Sequence, residues 1–218
     1  MESVRRNAGG REVIIITDKN VSNYVKFPSW IIKKIDAGII TRTNLSDLLR
    51  LSLLASYGGM WLDSTFYCVG SLDKSLYNGP IFSIKRPDYL HASVAGGMFA
   101  GYSLGCDDDH RRAFVTIRDF FLEYWRRNDF MVDYLLVDYL TVLAQRHDPW
   151  IAEAFNEIQP NNPDCDELFK ILDQPYDEDM WKRLSAHTDL FKLTWKQDFP
   201  VEHDGEKTFY GMLEGIGD

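Results

Sequence analysis

Five side chains within one twenty-residue stretch could do chemistry together: Asp47, Arg50, Trp61, Asp63 and Thr65, in SDLLRLSLLASYGGMWLDST. A guanidinium, two carboxylates, an indole and a hydroxyl facing one cleft would suit a charged, polyhydroxylated ligand, because Arg forks onto oxyanions and carboxylates accept from hydroxyls. The stretch reads as a helix, a Gly-Gly stop and a strand. Ser46 is the expected N-cap, Asp47 suits the positive helix N-terminus, and Gly58 suits the residue after the C-cap. Asp47 and Arg50 stand three apart and can face the same way. On a strand starting at Met60, alternation puts Trp61, Asp63 and Thr65 on one face.

Each residue also has a plainer reading. Asp47 and Arg50 could form a surface ion pair worth about 0.5 kcal/mol; the two glycines could be a simple turn, and Asp63 a strand end. Leu48, Leu49, Leu51, Leu53, Leu54 and Ala55 weigh against this, since they wrap nearly all round the helix. Such a helix is mostly buried, and buried charges need partners.

The elements around this block alternate. Val13–Ile16, inside Glu12–Thr17, is a short apolar run typical of a buried strand in a parallel sheet. Pro28 to Ala37 reads as an amphipathic helix with Trp30, Ile31 and Ile35 inward, ended at Gly38. A strand is expected at Ile81–Ile84, and a loop or short strand at 92–104, where Gly96 and Gly97 permit close backbone approach. Helices are expected from Asp109, over Val132–Arg146, and around Asp166–Leu172. Strands followed by helices suggest a mixed α/β sheet. With 218 residues, a single domain over 1–218 is the expectation.

The formal net charge of −9 argues against a general binder of nucleic acid or anionic membranes. Cys68, Cys106 and Cys165 are odd in number and form no CxxC, which favours a reduced, cytoplasmic chain. No run of about 18 apolar residues appears. His91, His110, His147, His187 and His203 show no metal-ligand spacing.

The 46–65 block resembles the bacterial capsular polysaccharide synthesis protein family, itself similar to sugar transferases with a DxD motif. The resemblance extends to Tyr24–Pro28, Gly38–Ile40, DYLLVDYL at 133–140, PNNP at 160–163 and FKLTWK at 191–196. It implies a GT-A-like, Rossmann-like nucleotide-diphospho-sugar transferase fold, a mixed sheet flanked by helices, lacking its first strand. Met1 falls where the first helix would be, which leaves open a fragment, a misassigned start, or a fold that manages without that strand. The implied function is transfer of a sugar from a nucleotide-sugar donor to a growing capsular or exopolysaccharide acceptor, which could be lipid-linked. Membrane attachment would then be peripheral or through a polysaccharide-assembly partner, at the inner face. The competing reading is a catalytically inactive glycan- or nucleotide-binding remnant.

Such a transfer must neutralise charge on a leaving diphosphate, usually with Mn2+ or Mg2+. Asp63 and Thr65 stand where the DxD pair would hold that metal, with a neutral hydroxyl replacing the second carboxylate. By the same resemblance, Asp47, Arg50 and Trp61 help to hold the donor. Lys192, Thr194, Trp195 and Lys196 form a C-terminal segment that closes over the diphosphate; the plain alternative is a terminal strand with solvated lysines. Asp133 is the expected sugar-orienting or catalytic carboxylate, with Asp138 second. Equally open is Asp133 as a helix cap and Asp138 as a supporting partner. Similar DxD families imply retention of configuration.

Overall fold

The computed structural model describes residues 1–88 and 92–215. The chain divides into two compact units. A helical unit takes Ile14–Leu62 and Ser75–Gln159, and a terminal unit takes Met1–Val13, Asp63–Lys74 and the chain from Pro160 onward. In chain order the elements are α1 (Glu2–Arg6), α2 (Ser29–Asp36), α3 (Arg42–Tyr57), β1 (Gly59–Leu62), β2 (Phe66–Cys68), β3 (Ile81–Ser83), β4 (Ser103–Cys106), α4 (Arg111–Arg127), α5 (Leu136–His147), α6 (Pro149–Asn156), α7 (Glu178–Ser185), β5 (Leu190–Lys192) and α8 (Phe209–Gly215). A two-residue-strand hairpin at 202–207 precedes α8. The fold is mixed α/β.

In the helical unit, β1, β4 and β3 form a three-stranded antiparallel sheet in the order β1-β4-β3. Leu48, Leu51 and Leu54 of α3 are buried in one core with Phe114, Ile117, Phe121 and Trp125 of α4. Full burial of each such side chain contributes roughly 1.5–3 kcal/mol. This packing holds α3 in place. The terminal unit has its own core, built from Leu168, Leu172, Leu184, Phe191 and Phe209, beside the antiparallel pair β2-β5.

Several expectations need correction. Val13–Ile16 lies outside any named strand and Ile14 is 45% exposed. An apolar run predicts extended backbone but not a neighbour to pair with. The named strand pairs are antiparallel, so the parallel-sheet expectation fails for them. Helix α3 begins a turn before Ser46, because Thr41 Oγ1 accepts from the Asn44 N–H at 3.3 Å. It stops at Gly58, whose φ of 64° an L side chain would resist. Helix α5 begins at Leu136 rather than Val132, and the helix expected near Asp166 is a short 3-10 turn, Leu168–Ile171.

Candidate functional site

Most of the candidate residues fall into two clusters, one in each unit. In the helical unit, Asp47 and Arg50 project from the buried side of α3. Arg50 Nη2 lies 3.2 Å from Asp47 Oδ1, and the two side chains are only 8% and 5% exposed. The surface-pair reading is therefore wrong. Arg50 Nη1 donates to the Gly101 carbonyl, and its Cζ sits 5.6 Å from the Trp61 ring centroid. Asp138, in the first turn of α5, joins them. A Cβ on Gly101 would lie 3.0 Å from Asp138 Oδ1 and 3.4 Å from Arg50 Nη1, so the absent side chain is what lets these groups close up. Burial pushes the Asp138 carboxyl up to about 6; the Asp47 charge adds to this and Arg50 opposes it.

Asp133 is not part of this cluster as described. It is exposed, and its Oδ1 accepts from the Leu135 N–H at 2.7 Å in the turn before α5. This is a turn bond two residues along rather than a cap on α5, whose N-cap Leu135 has no side-chain capping bond; Asp138 takes the buried position.

In the terminal unit the expected strand face is absent. Strand β1 ends at Leu62, and the chain turns through Ser64 and Thr65, with the Phe66 N–H donating to the Asp63 carbonyl at 3.1 Å. Asp, Ser and Thr suit such a turn through their own side-chain hydrogen bonds. Asp63 and Thr65 are nevertheless brought to one cation. Lys192, at the end of β5, donates from Nζ to Thr65 Oγ1 and lies 3.8 Å from Asp63 Oδ2.

This lysine is firmly placed. Its residue pairs with Phe66 across β2-β5, and its N–H donates to the Cys165 carbonyl at 2.8 Å. The Leu193 N–H donates to the Thr65 carbonyl at 2.9 Å. Asn162, inside PNNP, accepts at Oδ1 from the N–H groups of Asp189 and Leu190, at 2.8 and 2.9 Å, and so anchors the start of β5. Its φ of 49° is one that Asn tolerates better than most residues. Sequence reasoning missed this positioning role, although an Asn between prolines is a turn signal. Past β5, Trp195 is 79% exposed and Lys196 is also exposed, with its N–H donating to Thr194 Oγ1 at 3.1 Å.

The model of the family described as capsular polysaccharide synthesis protein matches residues 1–213. The chain belongs to this family. No curated protein and no solved structure matches it significantly. Membership in the capsular polysaccharide synthesis family ties the chain to making that polymer. Among the described residues, no helix is long and apolar enough to cross a membrane.

The oxygens expected to hold Mn2+ or Mg2+ do not fit one as arranged. Hard divalent cations want several oxygen ligands at about 2.0–2.2 Å, whereas Asp63 and Thr65 offer a single carboxylate and a hydroxyl that already accepts from an ammonium. Among the described residues, no group of three or more His, Cys, Asp and Glu gathers to hold a metal. His91 lies outside the described residues. His110 is engaged elsewhere, 2.7 Å from Asp107 Oδ1 and stacked on Trp150.

Proposed function

We propose that this capsular polysaccharide synthesis protein is a glycosyltransferase that moves a sugar from a nucleoside-diphosphate sugar to a growing polysaccharide acceptor. The observation carrying this reading is the Asp63–Thr65–Lys192 cluster: a half-buried ammonium framed by oxygens and followed by the exposed Trp195 and Lys196. A fixed cation suits the diphosphate of such a donor, and an exposed indole suits stacking on a base or sugar face.

In the reaction, the acceptor hydroxyl oxygen bonds to the anomeric carbon. The bond from that carbon to the phosphate oxygen breaks, its electron pair leaves with the diphosphate, and the hydroxyl proton passes to solvent. Stabilising the departing oxyanion is where a fixed cation contributes most. In the helical unit, Asp47, Arg50, Trp61 and Asp138 form a buried, rigid polar support within that unit. Asp133, exposed before α5, is the helical unit's candidate for orienting a sugar. The GT-A-like fold and a cytoplasmic site facing a lipid-linked acceptor belong to the same proposal.

The test is a panel of nucleotide sugars, assayed for hydrolysis and transfer with and without Mn2+, for wild type and Asp63→Ala. Release of nucleoside diphosphate that disappears in the variant supports a transferase. Binding of a donor without turnover favours the inactive binder instead.

A further inference from the structure

We infer that Lys192 takes the place of a divalent metal, so that the Asp63–Thr65 pair orients an ammonium, and this ammonium binds the donor's diphosphate. The inference rests on the transferase reading for the identity of the ligand, but the site itself stands on geometry.

The Lys192 ammonium donates to Thr65 Oγ1, lies 3.8 Å from Asp63 Oδ2 and 3.5 Å from the Leu193 carbonyl, and sits 5.9 Å from the Phe66 ring centroid. Carboxylate, hydroxyl, carbonyl and ring face all favour positive charge. The side chain is held by the turn before β2, the Phe66 ring and the carbonyl just past β5, yet remains 21% exposed, and Asp63 is 28% exposed. It is both fixed and reachable.

A divalent ion bound to these same two oxygens would stand within a few ångströms of the ammonium, and like charges so close repel strongly away from bulk water. Lysine is a compact point charge well suited to phosphate. Paired with Asp63 it carries less net charge than a metal would, so the diphosphate should be held more weakly and more salt-sensitively.

The experiment uses the full chain and two probes, Mn2+ alone and inorganic pyrophosphate, with no sugar transfer required. Mn2+ binding is read by electron paramagnetic resonance, and pyrophosphate binding by calorimetry in a chelating buffer. The inference expects no Mn2+ bound at the cluster. It also expects pyrophosphate bound without metal, weakened about tenfold or more by Lys192→Met and largely kept by Lys192→Arg. Melting midpoints confirm that both variants are folded, and the arginine variant separates charge from packing. Mn2+ bound by wild type and lost in Asp63→Asn overturns the inference. So does pyrophosphate binding that is absent, that requires metal, or that ignores Lys192→Met. A chain that passes this test yet transfers no sugar sinks the transferase reading alone. One that turns over a donor only with Mn2+ keeps that reading and sinks this one.

Discussion

In the helical unit, Asp47, Arg50 and Asp138 are enclosed and answer one another; in the terminal unit, Asp63 and Lys192 are positioned just as firmly but remain open to solvent. The first cluster has taken its charges out of water, and Asp138 shows the strain of that in its raised carboxyl. The second leaves its charges partly exposed. Sequence alone gave both sets the same prominence. Burial separates them: the first is enclosed within the core, and the second is exposed enough for the ligand capture proposed above.

The contrast can be broken most sharply at Arg50. Arg50→Ala leaves two carboxylates near each other in the core with their cation gone, and should destabilise the protein by about 3–5 kcal/mol. Urea unfolding reads this directly, and a loss below about 1 kcal/mol would mean the cluster is far better solvated than the structure indicates.

Asp138 sharpens the same point through pH. Its folded carboxyl titrates near about 6 against an ordinary 3.8. An acid raised in the folded state favours folding while protonated. That contribution is whole below about pH 4 and is lost as pH rises through about 6. Wild type should therefore lose on the order of 3 kcal/mol over that window relative to Asp138→Asn. Parallel pH–stability curves for the two proteins would contradict the assignment.

Trp195 gives the smallest effect on the fold. Trp195→Ala should change unfolding by no more than about 0.5 kcal/mol, while weakening nucleotide-sugar binding roughly tenfold through lost stacking. Chemical unfolding and calorimetry read the two quantities separately. A large loss of stability would place the indole in the core rather than at a ligand.

How much of this was legible follows from the range of each signal. The stop of α3 at Gly58 and the shared side of Asp47 and Arg50 are local, and sequence spacing suffices for both. Thr41 and Ser46 both suit an N-cap, and nothing local ranks the two. Asp148-Pro149 and Asp177 mark the starts of α6 and α7 locally, and both aspartates accept from N–H groups of the first turn. At Asp63–Thr65 the pattern of a metal-binding strand outweighed the turn preference of Asp, Ser and Thr. The bond from Lys192 to Thr65 spans 127 positions. No local periodicity reports a contact of that range. The anchoring of β5 by Asn162 is hidden for the same reason.

Sugar transfer through Asp63 is tested most directly by nucleoside diphosphate release from a panel of nucleotide sugars by wild type and by Asp63→Ala, measured side by side with their unfolding midpoints. The account predicts release from at least one donor by wild type and a fall of about 100-fold or more in a variant that remains folded. No release from any donor, or equal release by both proteins, would contradict it.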